Sequence, residues 1–306
     1  MELTLKEIHK SFGDNHVLKG ISFTARTGAA FALLGRNGHG KTTAIRIIMN
    51  IFSQDSGNVL IDGVKNTESK VKMSYLPEER GLYAARLISE QMVYFGMLKG
   101  LNKTDAKNES KRLLEKLEME QHFDKKLNTL SKGNQQKIQL AITLLADPDI
   151  IILDEPFSGL DPVNAQVMNN AVVELIEKGK IVVFSSHEMA NVESFCDEIC
   201  IINHGQIAIA GNLAEIKRTY RRDRIGIIPE DGNSIALHEK IKNFDGIKNI
   251  IENKGECIVT LNEPSLKDKL LANIVNNNIN ISKFDVLEPS LQEIFIEKAG
   301  VVNESV

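Results

Sequence analysis

The octapeptide Gly-Arg-Asn-Gly-His-Gly-Lys-Thr at residues 35–42 decides the fold, because it matches the phosphate-binding loop pattern G-x-x-x-x-G-K-[ST]. Its glycines let the backbone turn tightly enough for successive N–H groups to point at one phosphate chain. Lys41 can reach the outer phosphates as a point charge, and Thr42 offers a hydroxyl to Mg²⁺. The apolar residues 29–34 predict a buried strand, and residues 43–49 predict a helix whose N-terminus strengthens the anion site.

Composition places the chain among ordinary globular proteins. It has 306 residues, enough for one large domain or two ordinary ones, with 42% apolar and 25% charged residues. The net charge of −4 gives no basic excess, so no nucleic-acid partner is expected. No apolar run approaches the roughly 18 residues that span a bilayer, and the N-terminus alternates like a strand rather than a signal peptide. We therefore expect a cytoplasmic chain.

A second strand end carries two acids. The apolar residues 150–153 are followed by Asp154 and Glu155. Beside a phosphate loop, such a strand forms the second half of a nucleoside triphosphatase site. Asp154 is expected to hold Mg²⁺ through its water shell, and Glu155 to polarise an attacking water. A helix cap or a solvated edge is the alternative for two acids at a strand end.

A third strand, residues 181–184, leads through two serines to His187. The carboxyl ends of strands are where open parallel sheets bind ligands, so His187 is expected to hydrogen-bond a terminal phosphate. A surface or core histidine is the alternative. Between the first two strands, residues about 85–146 predict an inserted helical lobe. Within it Ser131 is a good N-cap, and the helix start behind it is a second anion site.

Cys196 and Cys200 lie four residues apart, near His187 and His204. A metal site is one interpretation. Small thiols in the apolar core are the other.

Residues 218–306 predict a separate small domain. Patterning gives strands at 224–228, 247–252, 256–261 and 280–287, with helices at 233–242, 265–277 and 289–298. The order βαββαβ predicts a split βαβ domain of α+β type. Arginines at 218, 221, 222 and 224 mark its start, either as a solvated linker or as a contact to a membrane surface or partner.

The chain resembles the ATP-binding cassette (ABC) family, the ATPase subunits of ABC transporters, because its motifs follow one another along the sequence in the order found in that family. The resemblance covers residues about 1–217 and implies a P-loop NTPase core with an inserted helical lobe. Phe12 matches the adenine-stacking aromatic, and Tyr75-Leu76-Pro77-Glu78 occupies the place of the Q-loop. The remaining matches are residues 35–43 (Walker A), 130–135 (signature), 150–155 (Walker B), 158–161 (D-loop) and 187 (switch histidine).

The resemblance implies that two cassettes dimerise head to tail around ATP and Mg²⁺. Catalysis is then expected from Lys41, Glu155 and His187, and metal binding from Thr42, Asp154 and Glu78. Ser131 and Gly133 would reach the ATP of the other subunit, and Asp161 is also expected to contact nucleotide. The other expected nucleotide-binding residues are Phe12, Gly35, Asn37, Gly38, Gly40, Lys41, Thr42 and Thr43.

Glu78 departs from the family pattern, which has glutamine there. An ionised glutamate accepts hydrogen bonds but cannot donate them, although it can ligate Mg²⁺. The stretch 77–83, together with Lys132 and Asn134 in the signature, resembles a bacterial subgroup of sodium-extrusion and drug- or peptide-resistance type. Glu78 is then that subgroup's normal residue.

The resemblance implies an ATPase that powers a separate transmembrane permease, as an exporter, from the cytoplasmic face of the membrane. The permease would dock on residues about 76–100, and the second ABC subunit would make a homodimer or a heterodimer. The alternatives are a non-transport ABC ATPase acting on ribosomes or DNA, and a nucleotide-gated regulatory module with little turnover.

Overall fold

The computed structural model describes residues 1–79, 81–193, 195–220, 222–253 and 255–299. They divide into two compact units, Met1–Leu213 together with residues 294–299, and Ala214–Glu293. The strands are β1 (Glu2–Phe12), β2 (Asn15–Arg26), β3 (Ala30–Leu34), β4 (Ser56–Ile61), β5 (Val64–Lys65), β6 (Met73–Leu76), β7 (Ile150–Asp154), β8 (Ile181–Ser186), β9 (Glu198–Asn203), β10 (Gln206–Asn212), β11 (Arg224–Pro229), β12 (Ile247–Asn253), β13 (Glu256–Leu261) and β14 (Ile281–Leu287). The helices are α1 (Lys41–Ile48), α2 (Ile88–Leu98), α3 (Lys103–Lys116), α4 (Lys132–Leu144), α5 (Pro162–Glu177), α6 (Met189–Glu193), α7 (Leu213–Thr219), α8 (Ser234–Ile241), α9 (Lys267–Asn276) and α10 (Leu291–Ala299), with 3₁₀ turns at Glu120–His122, Leu127–Thr129 and Pro264–Leu266.

The first unit contains a six-stranded sheet in the order β10-β9-β3-β8-β7-β6. All neighbouring strands are parallel except β9 and β10. Every residue of β3, β7 and β8 is buried, as expected for parallel strands covered on both faces. Because β8 lies between β3 and β7, the carboxyl ends of these three strands meet at one place on the sheet edge.

A second, antiparallel sheet in the order β2-β1-β4-β5 covers α1. One apolar core joins the two sheets through that helix. It contains Ile45 and Ile48 of α1, Leu5 of β1 and Phe31 of β3. The phosphate-loop helix is therefore held on both sides by sheet, which fixes the position of the loop that precedes it.

The helical lobe consists of α2, α3 and α4, inserted between β6 and β7. Gly96 brings α2 close to α3, since a Cβ there would lie 2.8 Å from the Cβ of Ala106. α4 ends at Leu144, before Pro148, and Asp147 takes a left-handed φ of 46°. In the described part of the chain, no helix combines the length and apolar character needed to cross a bilayer.

The second unit has an antiparallel sheet in the order β12-β13-β11-β14, with α8 and α9 packed against it. Its core includes Ile225, Val259 and Ile274. The predicted βαββαβ order is confirmed. The last helix begins at Leu291 rather than 289, because Ser290 and Glu293 form a capping box: each backbone N–H bonds to the other residue's side chain, at 2.9 and 3.2 Å.

Two arginines at the start of this unit are ion-paired. Arg222 lies 2.6 Å from Glu288, and Arg224 lies 2.5 Å from Glu293. These pairs tie the arginines to the domain itself. Arg221, Lys254 and residues 300–306 of the predicted domain lie outside the described residues.

Candidate nucleotide site

The loop between β3 and α1 has the backbone that its glycines predict. Gly40 takes a φ of 108°, and a Cβ there would lie 2.6 Å from Leu18. A Cβ on Gly35 would come within 2.5 Å of the carbonyl oxygen of Ile202. Any larger residue at either position would therefore displace the loop. α1 begins at Lys41, two residues earlier than predicted, so Lys41 and Thr42 belong to its first turn.

Lys41 folds back over the loop. Its Nζ donates to the carbonyl oxygen of Gly35 at 2.7 Å and lies 3.7 Å from Glu155 Oε1. The side chain is only 6% exposed. Burial lowers the pKa of Lys41, and the nearby carboxylates of Glu155 and Asp154 oppose that shift. The ammonium is thus held at the mouth of the loop by groups that an incoming phosphate can replace.

Asp154 ends β7 and is buried between two donors. Its Oδ1 accepts from Ser185 Oγ at 2.5 Å, and its Oδ2 accepts from Tyr75 Oη at 3.1 Å. The donors come from β8 and β6, the strands on either side of β7. The carboxylate is therefore held in a fixed orientation.

Glu155 lies one residue beyond β7 with a left-handed φ of 49°. Its Oε2 lies 2.9 Å from Nδ1 of His187, which follows β8. Oε1 is buried and, among the described residues, has no hydrogen-bond partner. Its ion pair with Lys41 Nζ, at 3.7 Å, is longer than a hydrogen bond, so this buried oxygen is suited to a donor that arrives with the substrate, such as a water molecule.

A cavity of about 280 Å³ lies over the loop. Glu78 and Glu155 line it opposite the loop residues, and Glu78 is exposed. The structure therefore brings the two halves of the predicted site together. The loop residues that line the cavity are Arg36, Asn37, Gly38, Gly40, Lys41, Thr42 and Thr43.

Three predicted residues lie elsewhere on the first unit. Ser131 caps α4 by accepting from the N–H of Asn134 at 3.3 Å, and Asp161 caps α5 by accepting from the N–H of Asn164 at 2.9 Å. A Cβ on Gly133 would lie 3.0 Å from Asn164 Nδ2, so the two helix starts are in contact. Both capping residues are exposed.

Phe12 is also separate from the cavity lining described above. It lies at the end of β1, 45% exposed, with its ring edge against Phe52 at 5.4 Å between centroids. An exposed aromatic face in this position is available for stacking.

Sequence reasoning missed Ser185 and Tyr75 as partners of Asp154. The two polar residues that close an apolar strand could have indicated Ser185. The sequence held no signal for Tyr75, because its contact with Asp154 depends on which strands are neighbours in the sheet.

The thiols of Cys196 and Cys200 are buried, and burial raises the pKa of each to about 12. Cys196 donates to the carbonyl oxygens of Ala30 and Glu198, at 3.1 and 3.0 Å. The structure therefore favours the core-thiol interpretation. Within the described residues, no group of three or more His, Cys, Asp or Glu side chains is arranged to hold a metal.

His39, in the middle of the loop, packs its ring against His204 at 4.5 Å between centroids. Its Nδ1 accepts from the backbone N–H of His204 at 3.4 Å. Burial lowers the pKa of His39, and His204, Arg36 and Lys41 lower it further.

The fold and the site together define a P-loop nucleoside triphosphatase. The "ABC transporter" family model matches residues 18–158, and the model "ATP-binding protein DrrA1-3-like, C-terminal domain" matches residues 211–299. An ABC transporter ATP-binding protein of Alkalihalophilus pseudofirmus is 40% identical over 88% of this chain and 98% of its own length. The Nod factor export ATP-binding protein I of Burkholderia lata is 31% identical over 67% of this chain and 68% of its own length.

A solved structure of an ATP-binding subunit of an ABC transporter is 28% identical, with a TM-score of 0.65 over 72% of this chain and 93% of that one. The chain belongs to the ATP-binding proteins of ABC transporters, and the predicted fold class is confirmed. It is an ATPase of the family that hydrolyses ATP to drive transport.

Proton uptake should accompany ATP binding at His39. A polyphosphate beside the loop raises the pKa of His39 from its lowered value in the nucleotide-free protein, so ATP affinity should rise as pH falls through the raised pKa of the bound state and level off below the lowered pKa of the free state. We expect roughly three- to tenfold tighter ATP binding at about pH 6 than at about pH 7.5. Equilibrium titration with His39→Gln should show a clearly smaller pH dependence; equal slopes for both proteins would exclude His39 as the group.

Proposed function

We propose that this protein is the nucleotide-binding subunit of an ABC exporter, and that it hydrolyses ATP to power a separate membrane permease. The observation that carries the proposal is the meeting of Lys41, Glu155 and His187 at the adjoining ends of β3, β7 and β8. Residues 1–217 would form the ATP-binding domain and residues 218–306 an accessory domain.

The phosphate loop supplies the ATP site in this proposal. Backbone N–H groups of Gly35, Asn37, Gly38 and Gly40 bind the phosphates, and Thr43 extends the site into α1. Lys41 leaves the Gly35 carbonyl and bonds the outer phosphates. Phe12 stacks on adenine from the end of β1.

Thr42, Asp154 and Glu78 fit a magnesium ion. Their hydroxyl and carboxylate oxygens are the hard ligands that Mg²⁺ prefers, and Asp154 is already oriented by two donors. The ion, when bound, would supply Lewis-acid stabilisation of charge on the phosphates. The buried Oε1 of Glu155 remains for the attacking water.

Glu155 acts as the general base, and His187 orients it. The 2.9 Å contact to His187 fixes one carboxylate oxygen, so that the other is directed to the water. When ATP draws Lys41 to its phosphates, Glu155 loses the countercharge that lies 3.7 Å away in the nucleotide-free protein. In this proposal His187 also hydrogen-bonds the terminal phosphate of ATP.

Ser131, Gly133 and Asp161 act on the ATP of a second ABC subunit. Ser131 and Asp161 are exposed at helix starts that do not line the cavity of their own chain, which supports this assignment, and Gly133 is buried in the first turn behind Ser131. The partner is another copy of this chain or a related cassette. ATP closes the pair and hydrolysis opens it.

A double-cysteine variant tests this trans arrangement. Asn37→Cys and Ser131→Cys, both at exposed positions, should be joined by a short bismaleimide into a covalent dimer only when ATP and Mg²⁺ are present. The native thiols of Cys196 and Cys200 are buried with raised pKa values and should stay unreacted. Each single-cysteine variant is the control. A cross-link within one chain would contradict the assignment.

The permease partner lies in the membrane, and the protein acts at its cytoplasmic face. The similarity to a Nod factor export protein supports the outward direction of transport. The accessory domain matches the DrrA1-3-like C-terminal model.

The permease docks on a surface formed by Tyr83, Tyr94, Met97 and Leu98. All four are large apolar or aromatic side chains, between 49% and 65% exposed. Gln91, only 3% exposed, supports this docking surface from below. It accepts from the N–H of Tyr83 at 2.8 Å and donates to the Tyr83 carbonyl at 3.0 Å. Exposed aromatics on a rigid base are typical anchors of protein interfaces.

The double variant Tyr83→Ser, Tyr94→Ser should weaken permease binding by roughly tenfold or more while ATP binding is retained. Each tyrosine presents a large contact area that serine lacks. The measurement is the amount of permease that co-purifies from detergent-solubilised membranes. Ile51→Ser, Val64→Ser, at exposed apolar positions elsewhere on the same unit, is the matched control. Equal permease recovery with both double variants would remove the docking surface from this account.

A further inference from the structure

Ser185 is a fully buried hydroxyl at the end of an apolar strand. It lies in β8, where the parallel register pairs it with Asp154 of β7. A hydroxyl in such a place needs hydrogen-bond partners. Ser185 Oγ donates to Asp154 Oδ1 at 2.5 Å and accepts from the backbone N–H of Glu155 at 2.9 Å. One oxygen atom thus contacts both acids of the site.

The bond to Glu155 supports an unusual backbone. A φ of 49° is rare for a residue with a side chain and persists only where neighbouring groups hold it. The N–H that Ser185 accepts belongs to this residue. The same backbone conformation leads the carboxylate to Lys41 and His187, at 3.7 and 2.9 Å. Holding the N–H therefore helps to aim the side chain.

Tyr75 provides an internal comparison. Its hydroxyl donates to Asp154 Oδ2 at 3.1 Å, from the opposite side of β7. Among the described contacts, Tyr75 bonds Asp154, whereas Ser185 bonds both Asp154 and Glu155.

We propose that Ser185 is a positioning residue for ATP hydrolysis, which fixes the metal-binding carboxylate of Asp154 and the backbone of Glu155 through one hydroxyl. The proposal rests on the roles given to Asp154 and Glu155 above. It predicts two separable effects. Loss of the hydroxyl weakens metal binding, as loss of Tyr75 does, and in addition lowers turnover in a way that added Mg²⁺ does not restore.

Ser185→Ala and Ser185→Cys test the proposal with full-length protein. Cysteine keeps the shape of the side chain, with a slightly larger sulfur atom, but hydrogen-bonds weakly, so it separates loss of the hydrogen bonds from creation of a cavity. Both variants should lower kcat roughly 10- to 100-fold with KM for ATP changed less than about threefold, because the base is misaligned while the phosphate loop is intact. Tyr75→Phe should recover its turnover at high Mg²⁺, and the Ser185 variants should not.

Metal binding is measured in a separate assay that does not depend on ATP hydrolysis. Electron paramagnetic resonance of free Mn²⁺, titrated into protein with ADP, should show roughly tenfold weaker binding for Ser185→Ala and for Tyr75→Phe. Ser110→Ala is the matched control, because Ser110 is also a fully buried serine and, among the described residues, its hydroxyl bonds within α3, to the carbonyl oxygen of Ala106. It should match the wild type in both assays.

Two results would overturn the proposal: wild-type kcat in folded Ser185→Cys, or unchanged Mn²⁺ affinity in Ser185→Ala. Thermal unfolding of each variant shows whether it is folded. If Ser185→Ala is unfolded, the kcat and the Mn²⁺ affinity of Ser185→Cys, compared with those of Tyr75→Phe, decide. If instead Glu155→Gln retains full turnover, another group is the base and the role given to Glu155 in the proposed function has failed, and that result is distinct from either outcome for Ser185.

Discussion

Glu155→Gln should bind ATP normally and lose turnover by roughly 10²–10⁴-fold. Glutamine keeps the size of the side chain and its contact with His187 but cannot take a proton from water. Because hydrolysis is what opens the dimer in this account, the variant should accumulate as an ATP-bound dimer of twice the 34.0 kDa monomer mass.

Phosphate release measures the loss of turnover, and light scattering measures the mass of the accumulated dimer. Glu177→Gln, the same change at an exposed position on α5, is the control and should behave as the wild type. Undiminished hydrolysis by Glu155→Gln would show that another group is the base. Lost turnover without a stable dimer would separate catalysis from closure.

Lys41→Met should abolish ATP binding at ordinary concentrations. Removing a charge-assisted contact to phosphate costs about 2–3 kcal/mol, or roughly 30- to 150-fold in Kd. Methionine fills the space of the lysine stem, so the loop keeps its packing. In the nucleotide-free protein the change also removes the 3.7 Å ion pair to Glu155.

Titration with a fluorescent ATP analogue measures the effect, with Lys107→Met as the control at an exposed position on α3. The size of the change in Kd distinguishes the two roles of Lys41, which are phosphate binding and the ion pair with Glu155. A Kd within about threefold of the wild type would mean that backbone N–H groups alone hold the phosphates, and that Lys41 serves the acid pair.

Local sequence patterns predicted those parts of the site that a single stretch of chain forms. The glycines of residues 35–42 dictate the loop, and the apolar runs before Asp154 and His187 dictate the strands that end there. The start of α4 followed its capping residue Ser131. These features depend on neighbours in sequence, so no structure was needed to find them.

Features that depend on lateral neighbours could not be predicted. β8 follows β7 in the chain but lies between β3 and β7 in the sheet, which is why His187 and Ser185 meet the acids. The left-handed backbone of Glu155 likewise follows from the contacts around it rather than from its residue type. The contact of Tyr75 with Asp154 needs the pairing of β6 with β7.

The central claim is that this ATPase powers a separate membrane permease. Its most direct test is a pull-down of tagged Glu155→Gln protein from detergent-solubilised native membranes with ATP and Mg²⁺ present, followed by identification of what is retained. The account predicts a polytopic membrane protein in stoichiometric amount, and much less of it with Lys41→Met. Recovery of ribosomes or nucleic acid without any membrane protein would contradict it.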